Sequence, residues 1–262
     1  MHIPESTTIH PTALIDSNAR IGSSVDIGPF TIVEGNTIID DGCQIASHVL
    51  IGSGSRLGKG CVVSKGAVLA AIPQDLKFEG EETELFVGDR TQVREFCTLS
   101  RGTKHGGRVT KVGSDCLLMA YVHVAHDCTI GNNVILANGV NMAGHVTIED
   151  WVAMGGLSVI HQFAVIGKHA FIGGHGRISR DVPPFIITLG DAFNGLNTVG
   201  LRRRGFTTDQ IAAIKKAYRI IYREKLNLTQ ALQVINTETE ITPEVQDILD
   251  FIKRSERGLV GL

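Results

Sequence analysis

The chain is short of what a bulky core or a charged partner would require. Aromatic residues are 5% of its 262 positions, with one tryptophan, which argues against a core built around large rings. A formal net charge of −2 supplies no general pull toward nucleic acid or an anionic membrane. No stretch approaches the roughly 20 consecutive apolar residues of a membrane span. The opening Met1-His2-Ile3-Pro4-Glu5 has no charged n-region and no apolar h-region, so no signal peptide is expected and a cytoplasmic location is. The five cysteines (Cys43, Cys61, Cys97, Cys116 and Cys128) all fall at one recurring position, which reads as small buried hydrophobes rather than a disulfide set, a metal site or nucleophiles.

What the chain has instead is a beat. An aliphatic residue recurs every six positions from Ile9 to Leu69, again at Val87, Val93 and Leu99, and again from Val112 to Ile178. Helices repeat at 3.6 residues and strands at 2, so a strict six means short strands joined by like corners, a hexapeptide parallel β-helix. The fourth residue after each beat is also small or apolar, as at Ala19, Val49 and Val140, and each cysteine sits there. Thirty glycines suit the tight corners. Three hexads make one triangular coil, so residues 18 apart stack at about 4.8 Å, the spacing of hydrogen-bonded strands.

Two segments interrupt the beat, 70–86 and 100–111, and the second also shifts its phase by one residue. Insertions on a regular scaffold are usual places for function. The repeat is expected to end at Asp181-Val182-Pro183-Pro184, because proline cannot donate to a further rung. Residues 1–185 are therefore assigned to the β-helix and 186–262 to a connector and an α-helical domain. Thr207-Thr208-Asp209-Gln210 has the form of a capping box for a helix reaching about Tyr222. A second helix is expected over 228–237. Thr242-Pro243-Glu244 opens a third, ending near Lys253.

Stacking by 18 locates a candidate site. His126, Gly144, Gln162 and Arg180 form one column at a corner, with His145 and His161 beside it. Another corner carries Ala120, Asn138, Gly156 and Gly174, a strip almost without side chains. A histidine serves as general base near neutral pH, and a glycine stacked on it offers an unobstructed N–H to an oxyanion. That pairing suits acyl transfer. A metal shared by His123 and His126 is the competing reading. Their odd separation points them to opposite faces of a straight strand, and no carboxylate or cysteine is expected to cluster with them.

The segments Ile72-Pro73-Gln74-Asp75-Leu76-Lys77, Val124-Ala125-His126-Asp127-Cys128, Met142-Ala143-Gly144-His145-Val146, Ile160-His161-Gln162-Phe163 and Leu201-Arg202-Arg203-Arg204-Gly205-Phe206 closely resemble acyl-ACP–UDP-N-acetylglucosamine O-acyltransferases, the first enzymes of lipid A biosynthesis. The resemblance runs from about residue 9 through the closing Ser255-Glu256-Arg257-Gly258. It implies that the β-helix is left-handed and that the protein is a homotrimer with active sites between subunits. The implied reaction moves an (R)-3-hydroxyacyl chain from acyl carrier protein to the 3-position of UDP-N-acetylglucosamine or its 3-amino analogue. The donor brings its own phosphopantetheine, and no cofactor or metal is implied.

By the same resemblance His126 is the general base, Asp75 of a neighbouring subunit the carboxylate that orients it, and Gly144 the oxyanion donor. Gln74 and Lys77 are implied as substrate contacts, and His123, His145, His161 and Gln162 surround sugar, acyl chain and nucleotide. Gly156 and Gly174 line the acyl groove, with a donor of about fourteen carbons expected. Asn197, Arg203 and Arg204 face the UDP phosphates and ribose, for which guanidinium groups suit phosphate. Three other readings remain open: an acetyl- or N-acyltransferase of the same superfamily, a hexapeptide carbonic anhydrase with a three-histidine zinc site, and a structural β-helix without chemistry.

Overall fold

The computed structural model describes residues 4–262 and bears out the left-handed parallel β-helix. Strands of mostly two residues lie on three faces. The first face starts with Thr8–Ile9, the second with Leu14–Ile15 and the third with Arg20–Ile21. Partners in register are 18 apart over most of the length, as in Asn141 beside Val159 and Thr147 beside Val165. The beat residues point inward and are buried from Ile21 to Ile178. Each such aliphatic side chain is worth about 1.5–3 kcal/mol when fully buried, so a prism one side chain wide is stabilised by repetition.

The five thiols are buried as expected. Each donates to a backbone carbonyl of a nearby turn, for example Cys43 to Gly58 O at 3.1 Å and Cys128 to Ala143 O at 3.2 Å. Burial pushes the Cys97 thiol up to about 11 and that of Cys128 up to about 12.

Both interruptions leave the coil at the corner between the second and third faces. The strands Val68–Ala71 and Glu84–Val87 bracket the first, and Thr98–Ser100 and Val109–Val112 the second, which holds a short 3₁₀ turn at Lys104–Gly106. Across them the register absorbs the extra residues: Leu69 pairs with Leu99 and Leu99 with Val124. Glu81 joins the two loops by accepting the Lys104 N–H at 2.9 Å.

The expected end of the repeat is corrected. Val182 still bridges to Ile166, and Ile186–Leu189 adds a further parallel rung beside Phe171–Ile172 before Ala192–Leu196 turns back antiparallel. Pro183 and Pro184 sit at a corner, against Gly167, where no ladder donor is needed. The connector is thus partly a hairpin, followed by α1 (Thr198–Arg203). Helices α2 (Thr208–Arg223), α3 (Leu228–Glu238) and α4 (Pro243–Arg254) follow, with the Thr207/Gln210 capping box in place.

The tail returns to close the end of the prism. The buried Asp181 carboxylate accepts the Val165 N–H at 2.8 Å, the Ser255 hydroxyl at 2.6 Å and the Arg257 N–H at 3.3 Å. Its main chain pairs with Gly258 O and Val260 N. Asp181→Ala would orphan those donors. We expect a loss of about 2–4 kcal/mol, read as a lower urea midpoint. An unchanged midpoint would mean that the closing Ser255–Gly258 segment is not a structural clasp.

Candidate active site

The column inferred from 18-residue stacking is present at the corner between the second and third faces. The strands His123–Val124 and Asn141–Met142 deliver the chain to it, and His126 and Gly144 come next to each other. A Cβ placed on Gly144 would lie 2.7 Å from His126 Cε1, so a side chain there would collide with the imidazole. Among the described residues the Gly144 N–H donates no hydrogen bond, while its carbonyl accepts from Phe163 N at 3.3 Å. The His145 ring meets that of His126 edge-on at 5.2 Å and stacks on Phe163 at 4.6 Å.

The expectation that no carboxylate accompanies the histidines is overturned. Asp127 Oδ2 lies 2.7 Å from His126 Nδ1, with the aspartate side chain wholly buried and the histidine 14% exposed. A carboxylate only accepts, so His126 directs Nδ1–H to Asp127 and turns Nε2 away from it, the tautomer a general base needs. Asp127 adopts φ +61°, a left-handed corner, with its N–H given to Thr110 Oγ1 at 2.8 Å. Among the described residues, His126, Asp127 and His145 bring side-chain N and O atoms within 4.8 Å of one another, and His123 is not part of that group. A cation would compete there with the donors that Asp127 already accepts from Thr103 and His126.

His123 is held otherwise. Its Nδ1 bonds Thr98 Oγ1 at 2.7 Å, and burial, then the neighbouring His126, lowers its pKa. It is therefore neutral near pH 7. His161 and Gln162 are exposed at the next rung, His161 Nδ1 meeting Gln162 O at 3.1 Å. Asp75 is half-buried in the first loop and accepts the Lys77 N–H at 3.0 Å, so its hydrogen bond stays within that loop. Gln74 and Lys77 are exposed, as are the apolar Ile72 and Leu76.

The other two groups lie on other corners. Gly156 and Gly174 stack between the first and second faces, where a shallow groove of about 550 Å³ runs past Asn138, Leu157 and His175. The tail residues gather between the third and first faces. There the Arg204 guanidinium lies 5.4 Å above the Trp151 ring and bonds His169 Nδ1 at 3.2 Å. Burial, with Arg204 and Lys168 adding repulsion, pushes His169 down to about 4. Asn197 is spent on structure: its Oδ1 caps α1 through Gly200 N at 3.1 Å, and its Nδ2 donates to His169 O at 2.9 Å. Arg203 is exposed and free for a ligand. A hollow of about 930 Å³ on the third face, beside Arg56, Phe86 and Lys111, holds none of the histidines.

Residues 181–260 match the second domain of the UDP-N-acetylglucosamine O-acyltransferase family, and residues 110–144 match the bacterial transferase hexapeptide repeat. The chain is 48% identical over 260 residues to the acyl-[acyl-carrier-protein]–UDP-N-acetylglucosamine O-acyltransferase of Leptothrix cholodnii, covering 96% of this chain and 98% of that one. The chain belongs to the acyl-ACP–UDP-N-acetylglucosamine O-acyltransferase family. Its relatives in this family include the enzyme of Herminiimonas arsenicoxydans, 42% identical over 258 residues, or 96% of this chain and 98% of that one. Solved family structures superpose over the whole fold. The LpxA of Bacteroides fragilis gives a TM-score of 0.94 at 43% identity, over 97% of this chain and 100% of that one. The LpxA of Acinetobacter baumannii gives 0.93 at 41%, over 96% and 99%. The expectation of a family acyltransferase is thereby met.

Proposed function

We propose that the chain transfers an (R)-3-hydroxyacyl group from acyl carrier protein to the 3-hydroxyl of UDP-N-acetylglucosamine, the first step of lipid A synthesis. The observation that carries this reading is the free Nε2 of His126, oriented by Asp127, beside the unobstructed Gly144 N–H. His126 Nε2 takes the proton of the sugar hydroxyl as its oxygen attacks the thioester carbonyl. The Gly144 N–H holds the resulting oxyanion. Collapse breaks the C–S bond, and the departing thiolate of phosphopantetheine recovers the proton from His126. No metal or resident cofactor is required. The relatives' names, which pair acyl carrier protein with UDP-N-acetylglucosamine, support the substrates. Purified protein given a panel of 3-hydroxyacyl-ACPs with this acceptor should yield the 3-O-acyl product by mass spectrometry. Absence of product with every donor would overturn the reading.

The working unit is proposed to be a homotrimer. Arg203 and Arg204 belong to one edge of the third face and His126 to the other, so a single chain does not set them side by side. The exposed Ile72 and Leu76 beside Asp75 suit a loop that packs on a neighbour. Because Asp127 already holds His126 Nδ1, Asp75 is not needed as the orienting carboxylate that the resemblance implied; it reaches the site from the adjacent subunit as a substrate contact, with Gln74, Lys77, His145, His161 and Gln162. If His126→Ala and Asp75→Asn each lower activity alone, mixing the two kinds of subunit should restore part of it in verified mixed trimers. No recovery would count against a shared site. No helix is long and apolar enough to cross a membrane, and a cytoplasmic enzyme is proposed.

Chain length is proposed to be read at Gly174. A Cβ there would meet Gly156 O at 3.3 Å, a contact that a few tenths of an ångström relieves, so a longer side chain can enter the groove. A buried methylene is worth only about 0.8 kcal/mol, so strong selection needs steric exclusion. Gly174→Met should move the preferred donor from about fourteen carbons to several fewer, with turnover on the short donor retained. An unchanged donor profile would put the ruler elsewhere.

A further inference from the structure

The second interruption of the repeat has a job in this geometry that runs through Asp127. Thr103, buried to 2% exposure, gives its N–H to Asp127 Oδ1 at 2.8 Å and its hydroxyl to Asp127 Oδ2 at 2.7 Å. The hydroxyl has a single proton. Gly106 N–H occupies one of its lone pairs at 3.2 Å, which directs that proton to the carboxylate. Thr103 is also the N-cap of the Lys104–Gly106 turn, and Gly107, at φ +91°, closes it. Gly106 lies so close to Asp127 that a Cβ there would sit 1.9 Å from Asp127 Cγ. The loop therefore wraps the buried carboxylate with two donors on one side and bare backbone on the other, and Oδ2 is shared by the Thr103 hydroxyl and His126 Nδ1.

We propose that Thr103 is a positioning residue for the Asp127–His126 pair, and that the loop 101–108 is a cradle which sets the strength and direction of the base. This rests on His126 acting as general base. A buried carboxylate is strongly constrained by its donors, because no water replaces one that is lost. Taking the hydroxyl away leaves Oδ2 with more negative charge to share with the His126 Nδ1 proton. The imidazolium is then held more tightly, and Nε2 gives up its proton only at higher pH. The N–H of Thr103 and the backbone of the loop keep the carboxylate in place meanwhile.

The test is steady-state kinetics of the full-length enzyme across pH. Near neutral pH Thr103→Val should lower kcat about 10–100-fold, because more of the His126 ring is then protonated, with KM for both substrates changed by less than about threefold. The acidic limb of its kcat/KM profile should move to higher pH. Thr103→Ser keeps the hydroxyl and should restore both limb and rate. Gly106→Ala adds one methyl where φ is not left-handed and should also lower kcat, by displacing the carboxylate. Thr110→Val removes the acceptor of the Asp127 N–H without touching the carboxylate, so it should cost stability with no movement of the limb. The proposal falls if Thr103→Val keeps the parent profile while His126→Ala is inactive. It falls too if Thr103→Ser fails like valine, or if Thr110→Val moves the limb equally. If His126→Ala itself turns over normally, the failure lies with the general-base reading instead.

Discussion

His126→Ala is expected to lower kcat by about 10²–10⁴-fold, the usual contribution of a positioned general base, while the protein keeps its fold. The ring lies at a corner of the prism with its Nε2 turned away from Asp127, and the beat residues behind it are unaffected by its removal. Stability should therefore change much less than rate. Alanine also opens space above Gly144, whose N–H stays in place. Residual activity should come from that donor and from substrate binding, and it should lose the acidic limb of its pH profile. Circular dichroism and size-exclusion chromatography establish that fold and assembly are intact. Turnover within a few-fold of the parent, in protein that passes both checks, would remove His126 from the chemistry.

Asp127→Asn should cost nearly as much by another route. An amide that turns its NH₂ toward His126 faces Nδ1 with a donor, which favours the tautomer protonated on Nε2 and blocks the base. Turning it the other way sets NH₂ against the Thr103 N–H. Exchanging a carboxylate for an amide behind a catalytic histidine costs up to about 10⁴ in kcat where the wrong tautomer results. Because the pair acts as one unit, adding Asp127→Asn to His126→Ala should cost little more than the alanine alone. A double variant whose losses multiply would show that the two residues work separately.

How much of this was readable beforehand depends on whether a feature repeats. The six-residue beat gave the coil, its inward thiols and the stacking of Gly144 on His126, since each follows from translation by 18 along one axis. The helix caps at Thr207 and Thr242 were legible from local chemistry alone. Asp127 was visible only as a neighbour of His126. Its significance comes from the left-handed corner that aims it inward and from Thr103, in the one segment where the phase is lost. The left-handed position tolerates aspartate, asparagine and histidine better than most residues, and an acid there beside a histidine was the available signal. The rung at Ile186–Leu189 is hidden for a related reason: in the sequence Pro183 and Pro184 read as ladder residues, and in the fold they occupy a corner. Asn197 reads as a ligand contact, and its amide is divided between the start of α1 and the His169 carbonyl.

The buried thiols make the molecule report on its own opening. Cys43 and Cys61 sit in the early coils, Cys97, Cys116 and Cys128 in the middle, and all are closed to solvent. A coil touches only its neighbours above and below, so local opening is free to begin at one place and spread. An alkylating reagent can then modify a given cysteine only as fast as its own coil separates. The order in which the five are labelled traces fraying along the axis, with no probe added to the chain.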